Sequence, residues 1–385
     1  MPVCLNSNPD GYERQPCAKA LSAKSSEECL ERSSRNLTIG LINNMPDGAF
    51  EATERQFLSL LDTASDGISI QLSLHSLPGI PRNEVAARHA SNSYSSVENL
   101  WNIHLDGLIV TGREPMTPSL VDEPYWDSLT KVLNWARDNT YSTVWSCLAA
   151  HAALLQMDGI SRIKSNEKHF GVFECDRLSD HPLLAGAPPR FRIPHSRWNG
   201  IPEDELTACG YRILTRAVGI GVDTFTKQQN SLFVFFQGHP EYESNTLLLE
   251  YRRDVGRYLR GETDTSPSMP RDYFDRDTAT ALTTLQQESR TRPREEVLGE
   301  VFRILENASI ENTWHSTTTC IYRNWLEYIC AKKEQRLKGS KLAAVARGGV
   351  DGSKPLVTEE TDVSHSPVYA TSLNQARSRL LRATR

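Results

Sequence analysis

The sequence predicts a doubly wound α/β fold with a mostly parallel sheet, on three observations. Short apolar runs of strand length recur through the middle of the chain, and longer stretches with apolar residues at helical spacing separate them. A punctuated, polar segment after Gly261 then closes the alternating region. This alternation is what a sheet covered by helices writes into a sequence.

Taken in order, residues 1–35 are polar, with a Ser/Glu-rich patch from Ser25 to Ser34, and read as a disordered arm that buries little. Strands are expected at Leu37–Ile42, Ile68–Leu74, Gly107–Thr111, Thr143–Trp145, Val222–Thr226 and Leu232–Phe236. Helices are expected at Ala52–Leu61, Tyr125–Asn139, Leu148–Gln156 and Thr246–Leu259. Together they define one domain over 36–262. Pro267 and Pro270 separate it from a helical extension over 263–335, with helices at Arg294–Asn307 and Thr319–Lys333. Residues 336–385 are rich in Lys, Gly, Ser and Thr and read as a disordered tail.

Bulk properties narrow the function classes. The 385 residues are 38% hydrophobic and 24% charged, as in ordinary globular chains. A net charge of -5 argues against a nucleic-acid partner, which a basic face would have to serve. The eight cysteines show no CxxC pair and no metal-ligand spacing, so no metal site is expected and the thiols read as reduced. No run of about 18 apolar residues spans a bilayer, and no leader-like segment opens the chain, so the expected location is the cytoplasm, with no membrane partner.

Chemistry concentrates at three strand ends, where open parallel sheets bind ligands. Thr143 to His151 reads as a buried strand, a tight turn at Cys147 and an Ala-rich helix. A helix N-terminus there favours a thiolate, and its free amides suit an oxyanion. Taken alone, a cysteine at such a place is more often a small buried hydrophobe. The strand Leu232–Phe236 runs into Gln237-Gly238-His239-Pro240-Glu241-Tyr242, where His239 can serve Cys147 as base and Glu241 can orient the imidazole. A turn histidine beside a solvated glutamate would look the same. The loop Thr111-Gly112-Arg113 follows another strand, and Gly112 allows backbone amides to approach a bound carbonyl.

With these residues in view, the sequence resembles the homoserine O-succinyltransferase family, whose fold is like that of the class I glutamine amidotransferases. The resemblance spans roughly residues 36–262. It is carried by Ile39 to Pro46, Thr53 to Phe57, Asp106 to Gly112, the Cys147 turn, Phe170 to Glu174, Pro194 to Arg197, Gly238 to Tyr242, and Glu250 to Asp254, in the family's order.

The resemblance implies that Cys147 accepts the acyl group, with His239 as base and Glu241 as its partner. Arg253 matches the arginine that grips the amino-acid carboxylate, a task suited to a guanidinium fork. Lys168 and Ser196 match other substrate-pocket positions, and Leu148 with Gly112 would supply the oxyanion amides. The implied reaction is transfer of an acyl group from succinyl-CoA or acetyl-CoA to the homoserine hydroxyl, in methionine biosynthesis, with acyl-CoA as co-substrate and no permanently bound cofactor.

Three departures stand out: Leu148-Ala149-Ala150-His151 replaces the family's Trp-Gly-Ala-Gln type continuation, Asp47-Gly48 replaces paired lysines, and Met116 occupies the position that helps choose the donor. A basic contact near the donor is therefore expected to be missing. A glutamine amidotransferase or hydrolase, or a catalytically silent homologue, remains the alternative. The sequence leaves monomer and homodimer open.

Overall fold

The structure is a computed structural model that describes residues 3–5, 26–289 and 291–348. The chain runs from β1 (Val3–Leu5) through α1 (Ser26–Ser34) and β2 (Asn36–Ile42) into α2 (Asp47–Ala64). Next come β3 (Ser69–Ser76), α3 (Glu84–Ser93), β4 (Ser95–Ser96), β5 (Gly107–Val110), α4 (Trp126–Asn139), β6 (Ser142–Ser146) and α5 (Leu148–Asp158). Two long strands, β7 (Ile163–Arg177) and β8 (Arg190–Gly200), precede the short α6 (Glu203–Ala208), β9 (Arg212–Ile213), β10 (Thr215–Ala217) and β11 (Gly221–Val222). The pair β12 (Thr224–Gln228) and β13 (Leu232–Phe236) leads to α7 (Thr246–Leu259), α8 (Arg276–Glu288), α9 (Arg294–Glu306) and α10 (His315–Gly348).

The main sheet has the order β1-β3-β2-β5-β6-β13-β12-β9, with β4 paired to β3. From β1 to β13 neighbours are parallel, and β12 and β9 add an antiparallel edge. The fold is therefore the expected α/β arrangement. Parallel strands covered on both faces must be apolar along their whole length, and Leu232–Phe236 is: all five residues are buried. Strand order reverses between β2 and β5, the place where such sheets open a crevice at their carboxyl edge.

One face packs on α2 and α10, through Phe50, Phe57, Leu61, Ile321, Tyr322, Trp325 and Ile329. The other packs on α4 and α5, through Leu129, Val132, Ala150 and Leu154. Gly107 allows α10 to sit tight on the sheet, since a Cβ there would lie 2.9 Å from Ile329 Cδ1 and 3.1 Å from the Trp325 ring. Trp325 Nε1 donates to Ser142 Oγ at 2.9 Å.

Several expectations need correction. The arm expected to be disordered contributes β1, paired parallel to β3, and helix α1, whereas residues 6–25 lie outside the described ones. The extension contains α8 as well as the two expected helices, and α10 continues past residue 336 to Gly348. The rest of the expected tail, 349–385, lies outside the described residues. The expected strand at Val222–Thr226 is two short strands belonging to different sheets, β11 and β12. A second sheet was not expected at all: β11-β10-β7-β8, antiparallel throughout, which includes the β7–β8 hairpin.

Candidate active site

Cys147 stands between β6 and α5 with φ 51° and ψ -113°, a conformation costly for any residue with a Cβ. Its amide donates to the Phe236 carbonyl at 2.8 Å, so the end of β6 is stitched to the end of β13. That bond fixes the spacing between the turn and the segment after β13, because Ser146 and Phe236 are already paired in register. Gly112 closes the third side: a Cβ there would lie 2.7 Å from both Leu148 N and Leu148 Cβ and 2.8 Å from Ala149 N. Only glycine lets the β5 loop lie against the first amides of α5.

His239 and Glu241 follow β13, both buried. Pro240 fixes the chain between them, and His239 Nδ1 meets Glu241 Oε1 at 2.9 Å. Ser146 Oγ also donates to that carboxylate oxygen at 3.5 Å. The imidazole lies in the field of the Cys147 sulfur. Burial opposes its charge, but Glu241 and the cysteine sulfur outweigh burial and raise its pKa well above the ordinary value. Tyr242 stacks on the ring, with centroids 4.2 Å apart and planes 17° apart.

Tyr242 joins this trio to a second polar group. Its hydroxyl donates to Glu250 Oε1 at 2.7 Å, while Ser196 Oγ donates to Glu250 Oε2 at 2.6 Å. Lys168 Nζ lies 3.6 Å from Glu250 Oε2 and 3.5 Å from Asp254 Oδ2, over the Phe170 ring. Lys168 and Ser196, far apart in sequence, thus meet on the carboxylate of α7. Arg253 pairs with its neighbour Asp254 at 2.8 Å and keeps half of its side chain exposed; it reaches the Glu250 group through Asp254, which it shares with Lys168, and not by a contact with Glu250. Met116 is exposed, on a loop held by Glu123, whose Oε1 accepts from the amides of Met116 at 2.8 Å and Thr117 at 3.0 Å.

The departures after Cys147 and near Pro46 have local explanations. His151 points into the core, where its Nε2 meets Gln237 Oε1 at 3.2 Å, so it forms no part of an open pocket wall. Near Pro46 a cation is present despite the missing lysines. Arg82 stacks on Phe50 at 3.7 Å and donates to the Met45 carbonyl at 2.5 Å. The guanidiniums of Arg162 and Arg197 also lie in the field of the Cys147 sulfur. Glu250, Tyr242 and Asp254 were not singled out from the sequence. Their one sequence signal was their place in blocks that carry the family resemblance.

Residues 17–336 match the homoserine O-succinyltransferase family. The chain belongs to that family. Among curated homoserine O-succinyltransferases, the Rhodopseudomonas palustris protein is 41% identical over 292 residues, covering 76% of this chain and 88% of that one. The Bradyrhizobium japonicum protein is 42% identical over 294 residues, covering 76% and 90%. A solved glutamine amidotransferase from Methylobacillus flagellatus overlaps 76% of this chain and 95% of its own, at 14% identity and a TM-score of 0.42. In this chain, Tyr242 links the His239–Glu241 pair to the Glu250 group. No helix among the described residues is long and apolar enough to cross a membrane.

Proposed function

We propose that the chain is a homoserine O-acyltransferase that works through a thioester on Cys147. The observation that carries this reading is the buried His239–Glu241 pair at 2.9 Å, facing a cysteine held at a positive φ, in a chain of the homoserine O-succinyltransferase family.

The Cys147 thiolate attacks the thioester carbonyl of acyl-CoA, the bond to the CoA sulfur breaks, and the departing thiolate takes the proton from His239. In the second half, the homoserine hydroxyl passes its proton to His239 as its oxygen attacks the acyl-enzyme, and the Cys147 thiolate leaves. Glu241 holds the imidazole with Nε2 towards sulfur and stabilises its charge. The amides of Leu148 and Ala149, against Gly112, receive the oxyanion in both halves. Arg253 takes the homoserine carboxylate, and the Glu250 carboxylate, steadied by Lys168 and Ser196, accepts from its ammonium. The acyl donor is succinyl-CoA or acetyl-CoA, and transfer to homoserine serves methionine biosynthesis.

Intact-protein mass spectrometry after incubation with each acyl-CoA, followed by homoserine, tests the reading. One acyl adduct on Cys147 that homoserine discharges is the expected result. Absence of an adduct with both donors, in protein whose Cys147 still reacts with iodoacetamide, would overturn it.

A further inference from the structure

The hairpin strand β8 turns Phe191, Ile193, His195 and Arg197 inward, so half of one buried face is polar. His195 and Asp223 have no exposed surface, and Arg197 is 4% exposed. Burial of such groups is costly unless they satisfy one another. Arg197 gives both terminal nitrogens to carbonyls, Nη1 to Asn199 at 2.5 Å and Nη2 to Ile220 at 2.9 Å. Its Nε donates to His195 Nδ1 at 3.3 Å, which leaves the ring proton on Nε2; that atom lies 3.3 Å from Asp223 Oδ1, a close approach not aligned as a hydrogen bond. Asp223 Oδ2 accepts from Thr215 Oγ1 at 2.9 Å and Thr224 Oγ1 at 2.7 Å.

The remaining bond of Asp223 points at the catalytic turn. Oδ1 accepts from the Gly238 amide at 3.2 Å, and the next amide, that of His239, donates to the Pro194 carbonyl of β8 at 2.8 Å. A Cβ on Gly238 would lie 2.5 Å from Ile193 Cγ2 and 2.9 Å from both Asp223 Oδ1 and His195 Nε2. The turn is thus clamped on two successive amides, by the Asp223 carboxylate and by the Pro194 carbonyl of the neighbouring strand.

We propose that Arg197, His195 and Asp223 form a second, buried relay of positioning residues that holds the Gly238–His239 turn and so keeps the His239 imidazole in place between Glu241 and Cys147. This rests on the acyl-transfer reading of the site above. Packing alone would not need ions here, since the hydroxyls and amide that bind Asp223 would bind a neutral oxygen too. A neutral imidazole between a guanidinium and a carboxylate keeps the net charge of the trio at zero, and the ionised carboxylate grips the Gly238 amide more strongly than a neutral oxygen would. Burial pushes the His195 pKa down to about 4, in keeping with a neutral ring.

The groups facing His239 are Glu241 on its own turn, Cys147, the stacked Tyr242, and His195 from β8. Cys175 of β7 and the Cys147 sulfur face the relay, and Tyr322 of α10 faces Glu241. Cys175, His195 and Asp223 also bring ligand-type atoms within 4.8 Å of one another. The guanidinium against His195 and the three donors already on Asp223 disfavour a cation there.

The test compares Asp223→Asn, His195→Gln and His195→Leu in the full chain. It uses steady-state rates with acyl-CoA and homoserine, thermal melting, and the pH profile of Cys147 alkylation by iodoacetamide, which needs no acyl donor. Asp223→Asn is expected to lower kcat by about 10- to 100-fold, with both KM values within about twofold. Its alkylation profile should move its imidazolium limb to lower pH by about one unit, because a loosened turn weakens the Glu241 and Cys147 interactions that raise the His239 pKa. His195→Gln, whose amide bridges the same two partners, should keep most activity, whereas His195→Leu should lose it.

Unchanged kcat and profile in a folded Asp223→Asn would overturn the relay. So would equal losses in the Gln and Leu variants, or stoichiometric divalent metal in the purified protein. Should Asp223→Asn fail to fold, the comparison of Gln with Leu decides alone. An unaltered chain that no acyl-CoA acylates refutes the acyl-transfer reading instead, and the alkylation profiles still judge the relay.

Discussion

A cysteine at φ 51° and ψ -113° is held there by its surroundings: its amide is tied to Phe236, and its carbonyl accepts from His151 at 3.3 Å. Strain of this sort costs roughly 1–3 kcal/mol, and glycine escapes it. Cys147→Gly is therefore expected to raise stability by about 1 kcal/mol while abolishing acyl transfer, the trade found where a site stores strain. Urea unfolding monitored by tryptophan fluorescence measures the first part and the adduct assay the second; a less stable glycine variant would contradict the strain account. Gly112 has the opposite role, since its absent side chain makes room. A methyl group at this position would sit 2.7 Å from Leu148 N and 2.8 Å from Ala149 N, so Gly112→Ala must push backbone rather than a flexible side chain. The expected result is a loss of Cys147 acylation of about 10²-fold, with homoserine discharge slowed to a similar degree, because both halves use the same amides.

At the scale of elements, the C-terminal helix α10 belongs to the core. Ile321, Tyr322, Trp325, Leu326 and Ile329 are all buried against the sheet. Trp325 is 2% exposed, fits over Gly107 and bonds Ser142. Trp325→Ala should cost about 3–5 kcal/mol through cavity formation, and it also leaves a buried hydroxyl without its donor. Denaturant midpoints check this; a loss below about 1 kcal/mol would mean that α10 is an appendage. The β7–β8 hairpin has a comparable standing, because it carries Lys168 and Ser196 on the side facing α7 and His195 and Arg197 on the side facing the catalytic turn.

For the whole molecule, buried histidines set the acid side of stability. Burial pushes His75 and His195 down to about 4 and His151 to about 3, against 6.5 for the free ring. Below pH 6.5 the unfolded chain binds protons that the folded chain does not, so stability falls as pH drops towards 4. At about pH 5 the loss is about 2 kcal/mol for His75 alone. His239 acts in the other direction, since its raised pKa makes its contribution complete below 6.5 and lost as pH rises through the folded value. Maximal stability is expected near neutral pH. The urea midpoint should fall sharply between about pH 7 and pH 5, and by less in His75→Gln; a midpoint flat over that range would refute the account.

By itself the sequence determined the parallel core and the three strand ends that carry chemistry. An apolar run such as Leu232–Phe236 can only be buried on both faces, and the turn residues after it, His239, Pro240 and Glu241, act over a separation of two residues. The resemblance to the family drew Lys168, Ser196 and Arg253 to one site, although their contacts were not legible. Only the tertiary structure decided that Lys168 and Ser196 meet on Glu250, that Arg253 shares Asp254 with Lys168, and that α10 closes the sheet. The β7–β8 hairpin stayed hidden for a definite reason. Two of the four inward positions of β8 are His195 and Arg197, so the alternation that marks a half-buried strand was broken by polar groups whose partners, Asp223 beside His195 and the Ile220 carbonyl on Arg197, arrive from elsewhere in the chain.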